Sequence, residues 1–422
     1  MTRLWVCFVK RKMLLQGFCK VLGDNLINVH IFNCCTCFYD GAPHNIGQTN
    51  IFTLPNYDII DMLVIAPFYL SSSEEVIRHT IERAVEKNVP VLTIGKQYDY
   101  PNCYCIMPDY RRQIEMITNH LIERHGIRKL NFLGGLKNHF TSDERLAGFL
   151  DALKSHNIPI EPSRIYYGNL WSAPAIQQVE KMNEDGNLDC GAIVCANDTM
   201  ASAVMIKLSE LGFDMPGEIA VTGMDGTDEA NGYITTAKIL ADKAGEEAAN
   251  IVADLLLRGK KPAKLGITPP NIIYGISCRC TNMQNALDLL PKQRHDLFEE
   301  LYDARRFSIR TAAIAQELAN CSTFDDASRN ISATLSRIWC NNSWICICKD
   351  FMESSLVNDS IDDIEDNCPV HRHGYCDTMK CIARYVDKKP QSETEFPTSE
   401  MLPDFYEMSD KSKFILYTPI HI

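Results

Sequence analysis

The densest group of chemically capable side chains in this 422-residue sequence is Cys368, His371, His373, Cys376 and Cys381, in NCPVHRHGYCDTMKC. Thiolate sulfur and neutral imidazole are the usual tetrahedral ligands of zinc, so such a group could close around a metal. Its spacing is not that of a zinc module, and no metal is expected there. Cys34, Cys35 and Cys37 follow an apolar run and would sense oxidants only if a thiolate were stabilised. No basic residue adjoins them in sequence, so they read as buried or incidental thiols. Gly134 and Gly135 follow KLNFL but lack the spacing of a dinucleotide fingerprint or of a phosphate loop with its lysine. No Ser/His/Asp order or carboxylate pair is legible. The expectation is a chain with no catalytic residues, no resident metal and no cofactor.

The totals agree with binding rather than catalysis. A chain of 422 residues exceeds one ordinary hydrophobic core, so two or three domains are expected. A net charge of -12 argues against a surface devoted to gripping phosphate backbones, which relies on lysine and arginine displacing counterions. An anionic membrane is disfavoured for the same reason. The 18 cysteines are scattered through core-like runs, including Cys195, Cys278, Cys280, Cys346 and Cys348, and not spaced as a disulfide scaffold. A reducing, cytoplasmic setting is expected. The opening MTRLWVCFVKRK holds only a six-residue apolar run, Leu4 to Val9, too short for a signal peptide or an anchor.

The elements that must position any site are strands alternating with helices around parallel sheets. LWVCFV, INVHIFNC, DMLVIAPF and PVLTIG read as strands, with helices at MLLQGFCKVLGDN and SEEVIRHTIERAVEKN. The alternation restarts near Asp109 with helix RRQIEMITNHLIERHG, strand KLNFLGG, helix DERLAGFLDALKSHN and strand RIYYGN. Helix APAIQQVEKMNED, strand GAIVCA, helix TMASAVMIKLSELG and strand IAVTGMD complete it. Ser142 before an acidic turn marks a helix start, and Gly126 and Gly212 mark helix ends. Two such sets imply two Rossmann-like lobes. After Asn282 a helical stretch carries Leu297, Leu301, Phe307, Ile314 and Leu318 at intervals of four to seven, either a coiled coil or an amphipathic helix packed on its neighbours. Thr323 and Asp326 then look like a capping pair, and strand-like SWICICKDF and KFILYTPIHI flank an acidic insert.

ERLAGFLDAL, AIVCANDTMASAVMIKLSELGFDMPGEIAVTGMDGTDEA and YITTAKILADKAGEEAANIVADLLLRGKKP together resemble the LacI-type, periplasmic-binding-protein-like type I sensor domain over residues 4–281. HNIGQTNIFTLPNYDIIDMLVIAP and FPTSEMLPDFYEMSDKSKFILYTPIHI further resemble bacterial sensors in which such a domain precedes a GAF-like region and a GGDEF diguanylate cyclase domain. The resemblance implies a two-lobed domain over 1–281, with a first lobe near 1–108 plus 238–264 and a second near 109–237 plus 265–281. It further implies a helical linker over 282–322 and a partial α+β GAF-like domain over 323–422.

In that family the ligand sits between the lobes. The matching positions here are Arg145 in the helix resembling RLAGF, Asn197 in the A-N-D turn, Asp225 after G-M, and Trp171 as a stacking aromatic. Arginine offers a planar donor fork while asparagine and aspartate accept from hydroxyls, so a sugar, nucleobase or similar metabolite suits them. Plainer roles stay open: Asn197 and Asp198 as helix caps, Asp225 bonding its own turn, Arg145 pairing with Asp143 or Glu144 at the surface, and Trp171 as a hinge aromatic. The first lobe has only KRK between its first strand and helix, where the family has a longer ligand-reaching loop, so the pocket is either altered or lost.

The expected protein is a cytoplasmic, homodimeric small-molecule sensor, not an enzyme, that passes lobe closure to a C-terminal output. That output would be a diguanylate cyclase outside these residues. The alternatives are the sensor part of a LacI-type transcriptional regulator without its DNA-binding segment, and a degenerate scaffold without ligand. No direct DNA binding and no membrane association are expected of these residues.

Overall fold

The computed structural model describes residues 2–8, 12–23, 27–34, 48–66, 74–227, 230–238, 241–260, 271–281, 283–323, 326–327, 330, 342–350, 374–387, 389–403 and 414–417. The chain divides into two units, one of Met1–Met107, Ala241–Gly266 and Ala304–Ile422, the other of Pro108–Leu240 and Ile267–Asp303.

The first unit is organised on a parallel sheet. Its strands are β1 (Thr2–Phe8), β2 (Ile27–Asn33), β3 (Met62–Ala66), β4 (Val91–Ile94) and β5 (Cys103–Ile106). A further strand comes from far along the chain, and numbering in sequence order makes it β16 (Phe414–Tyr417). The order is β16-β2-β1-β3-β4-β5. Alternate side chains go to opposite faces, as the pleat requires. Ile27, Val29, Ile31, Met62, Val64 and Leu92 pack under helices α1 (Lys12–Leu22) and α7 (Ala241–Leu257). Phe32, Leu63, Ile65 and Val91 pack on the other face with Ile77, Ile81 and Ala84 of α2 (Glu74–Glu86). This layering is why the strands read as nearly continuous apolar runs.

The end of the chain departs from the expected boundary. The resemblance puts KFILY in a separate third domain, but β16 pairs in parallel with β2, Phe414 opposite Val29 and Tyr417 opposite Phe32. The Tyr417 ring stacks on Phe32 at 4.5 Å, and its hydroxyl lies 3.0 Å from His30 Nδ1. Met401 and Leu402 join the same core. An uncovered β2 edge would present a row of unpaired backbone groups, and β16 satisfies them. The intervening strands β12 (Ser343–Cys348), β13 (Thr378–Val386), β14 (Lys389–Pro390) and β15 (Thr394–Pro397) form an antiparallel sheet in which β13 pairs with the other three.

The second unit repeats the plan with β6 (Leu130–Gly134), β7 (Ile165–Tyr167), β8 (Ala192–Cys195), β9 (Ala220–Asp225), β10 (Thr235–Lys238) and β11 (Asn271–Ile273). Their order is β11-β10-β9-β8-β6-β7, parallel except for β11. Leu130, Phe132, Ala192 and Val194 face helices α3 (Tyr110–His125) and α4 (Phe140–Ser155). Leu133, Ile193, Cys195 and Val221 face α5 (Ser172–Glu184) and α6 (Asp198–Glu210). Gly126 caps α3 in a left-handed conformation, and Gly212 follows α6 with φ 86°, as the sequence suggests. α4 begins earlier than expected: His139 is its N-cap, and Ser142 lies buried within the first turn.

One motif glycine has a packing cause. A Cβ on Gly148, in RLAGF, would fall 2.1 Å from the Arg111 carbonyl oxygen, so α3 and α4 cross closely only because that position carries none. The last helix, α8 (Met283–Ala319), runs 37 residues with Pro291 inside it. Leu297, Phe298, Leu301, Tyr302 and Ile309 are all exposed along it. Thr323 Oγ1 accepts from the Asp326 backbone N–H at 3.1 Å, the expected capping contact.

Candidate functional site

All four candidate residues lie in the second unit, just past the C-terminal ends of its parallel strands. β6 leads to α4, which carries Arg145; β7 leads to Trp171, the residue before α5. β8 leads to Asn197, the N-cap of α6, and β9 ends on Asp225 itself. This is the edge at which open α/β sheets present binding crevices, because loops there converge while helix N-termini point outward.

Arg145 and Asp225 form the polar centre. Arg145 is only 6% exposed, which sets aside a surface pair with Asp143 or Glu144. Its guanidinium carbon sits 4.9 Å from the centroid of the Tyr110 ring, and its Nε donates to Met224 Sδ at 3.3 Å. A terminal nitrogen lies 3.9 Å from Asp225 Oδ1, near enough for attraction but too long for a direct hydrogen bond. The fork is thus held by an aromatic face and a weak sulfur acceptor, with donor capacity left over. Asp225 has φ 113°, a conformation that costs a non-glycine residue about 1–3 kcal/mol and tends to occur where a side chain must be aimed.

Asn197 is occupied within the fold. Its Oδ1 accepts from the Met200 backbone N–H at 2.9 Å, and its amide donates to the Leu170 carbonyl at 3.0 Å. It caps α6 and ties down the loop before α5 at once. In that loop Asn169 and Leu170 have φ 52° and 66°, turning the chain so that Trp171 stands 45% exposed beyond them.

Two further residues belong to this centre, Tyr110 beneath Arg145 and Asp198 beside Asp225. Asp198 is 2% exposed, and its Oδ2 accepts from the Thr227 backbone N–H at 2.8 Å. A Cβ on Gly223 would lie 2.3 Å from Asp198 Oδ1, so glycine on β9 makes room for this carboxylate. Burial pushes the Asp198 carboxyl up from 3.8 to about 7, against hydrogen bonds from Thr236 and Thr227, and the nearby Asp225 charge adds to the rise. Asp198 was visible in the A-N-D turn but looked like half of a cap. Nothing in the sequence connects Tyr110 to a residue 35 positions later.

Other expectations fare variously. A surface depression lined by Lys137, Tyr166, Tyr167, Gln178, Lys181 and Asp185 includes none of the four candidates. Cys368, His371, His373, Cys35, Cys37 and the KRK connection, at positions 10–12, fall outside the described residues or, for Lys12, outside the described side chains. Cys376 donates to the Thr378 carbonyl, and Cys381 is buried on β13. Among the described residues no helix is long and apolar enough to cross a membrane.

Residues 118–278 match the periplasmic binding protein-like domain family. The probable transcriptional repressor ExuR of Bacillus subtilis is 24% identical over 214 residues, 51% of this chain and 63% of its own length. The transcriptional repressor PurR of Actinobacillus pleuropneumoniae is 26% identical over 223 residues, 52% of this chain and 63% of its own. The chain therefore spans less than two thirds of the length of these relatives. A crystal structure of a sugar-binding LacI-family transcriptional regulator from Escherichia coli, complexed with phosphate, superposes with TM-score 0.53 at 22% identity, covering 65% of this chain and 97% of that one. The two parallel-sheet units are Rossmann-like lobes of the periplasmic-binding-protein type I fold.

Proposed function

We propose that the chain is a small-molecule sensor whose ligand is held by Arg145, Asp225 and Trp171, with Asn197 and Asp198 fixing the loops that present them. The observation that carries this is the buried Arg145 guanidinium facing a conformationally strained Asp225 at the strand-end edge of the second sheet. A donor fork beside a carboxylate, with an exposed indole on the same edge, suits a polyhydroxylated or heteroaromatic metabolite: hydroxyls pair with both charged groups and a ring face stacks on tryptophan. The sugar-binding regulator of the same fold supports a sugar first.

The relatives are named as transcriptional repressors, which favours a regulator's sensor part over a cyclase-coupled one. A ligand acts in such a protein by binding one arrangement of the chain more tightly than another and so shifting their populations. A thermal-shift screen of the full chain against sugars, nucleobases and related metabolites tests the proposal, since a ligand that binds only the folded state raises the melting temperature once it exceeds its Kd. No shift across such a set would favour the degenerate scaffold instead.

A further inference from the structure

Away from that edge, the second unit gathers four side chains that no role described so far uses. His120 and His125 come from α3, while Cys278 and Cys280 come from the segment just before α8. His120 Nε2 lies 3.3 Å from His125 Nε2, 3.1 Å from Cys280 Sγ and 3.5 Å from Cys278 Sγ. His125 Nε2 lies 3.1 Å from Cys280 Sγ, and all four ligand atoms fall within 4.8 Å of one another. We propose that these four residues form a zinc-type metal site that fastens the segment leading into α8 onto the end of α3.

The geometry suits a tetrahedral ion. With metal–sulfur bonds near 2.3 Å and metal–nitrogen bonds near 2.0–2.1 Å, the edges of a tetrahedron are roughly 3.3 to 3.8 Å. The His120–His125 and His120–Cys278 distances fall on those edges, and the two 3.1 Å contacts of Cys280 Sγ reach them with a shift of that sulfur by a few tenths of an ångström. Two thiolates and two neutral imidazoles form a soft, mixed donor set that selects zinc over magnesium or calcium. Their negative charge balances a divalent ion in a neighbourhood where Arg124 and Arg279 would repel a bare cation.

Local backbone explains the convergence. Arg279 has φ 63°, a left-handed residue that turns the chain between the two cysteines and brings both sulfurs to one side. His125 is the last residue of α3, and Gly126 turns the chain away beyond it. The Tyr274 ring packs 5.2 Å from the His120 ring. Zinc binds cysteine as the thiolate and histidine as the neutral imidazole, so uptake of an ion here would release thiol protons. Cysteine at 278 and 280 looks in sequence like ordinary core filling, and neither histidine sits near them in the chain, which is why no metal was expected.

The test is metal analysis of the full chain purified under reducing conditions, incubated with zinc and freed of loosely held metal. The expected content is about one zinc per chain in the parent, falling at least tenfold in Cys280→Ser and in His125→Ala. His125 lies partly exposed at a helix end, so its variant should stay folded, with circular dichroism as the check. Cobalt soaked into the parent should give the intense visible bands of tetrahedral thiolate coordination, and chelator should lower the melting temperature of the parent but not of the variants. Zinc content near zero in the folded parent, equal content in parent and both variants, or a Cys278–Cys280 disulfide found by mass in place of metal would each overturn the proposal.

Discussion

The guanidinium of Arg145 and the carboxylate of Asp225 face each other across 3.9 Å, the first buried against Tyr110 and the second held at φ 113°. A hydrogen-bonded pair would sit closer, and an unconstrained aspartate would relax. This pair is the centre of the ligand site proposed above, and the predictions on Asp225 and Arg145 follow from it.

Replacing Asp225 by glycine should separate function from stability. Glycine accepts φ 113° without strain, so Asp225→Gly should leave the melting temperature unchanged or raise it by the equivalent of about 1 kcal/mol, while ligand affinity falls roughly tenfold to a hundredfold. Calorimetry and titration on the same preparation check both halves. A variant that melts lower and still binds would show that Asp225 serves its turn alone.

Gly148→Ala should act on the site indirectly. The added methyl would meet the Arg111 carbonyl at 2.1 Å, forcing α3 and α4 apart at a cost of about 1–3 kcal/mol, partly offset by alanine's better helix propensity. Tyr110 and Arg145 ride on those two helices, so affinity should weaken as well. Urea unfolding and ligand titration would reveal both.

Asp198 makes stability depend on pH in a defined direction. Its folded value near 7 lies above the unfolded 3.8, so the native state holds the extra proton between them. Stability is therefore greatest below about pH 4 as far as this group is concerned, and it falls as pH rises toward 7, by an amount on the order of 4 kcal/mol. Asp198→Asn should remove that slope, since its carbonyl can still accept from Thr227. Melting curves at pH 5 and pH 8 should show the variant gaining on the parent mainly at the higher pH.

The exposed apolar stripe on α8 predicts self-association. Leu290 and Leu297 are seven residues apart and Leu301 follows four later, the spacing of a coiled-coil seam, and all three are exposed. Light scattering should find a dimer in the parent and a monomer in a Leu297→Glu/Leu301→Glu variant. A monomeric parent would assign the stripe to another partner.

Much of this protein could be read from its sequence, for a physical reason. β3, β4, β6, β8 and β9 are buried on both faces, so they appear as short apolar runs, and the helices between them keep a period near 3.6. Arg145, Asn197, Asp225 and Trp171 come from the resemblance of their motifs, and the structure places all four at the strand-end edge of the second sheet. What failed depends on distance along the chain. Tyr417 reaches His30 across 387 positions, and Cys280 reaches His120 across 160, so neither contact leaves a periodic trace. The division of α8 between the units, after Asp303, is equally invisible, because a continuous helix gives no break in pattern.

The most direct measurement is calorimetric titration of the best compound from the thermal screen into the full chain, into Arg145→Ala and into Asp225→Ala. The full chain is needed because truncation after residue 281 would strip β16 from the first sheet. Saturable binding at one site per chain is expected in the parent, weakened at least tenfold in each variant while both remain folded. Equal affinity in all three proteins would contradict it and place the ligand elsewhere.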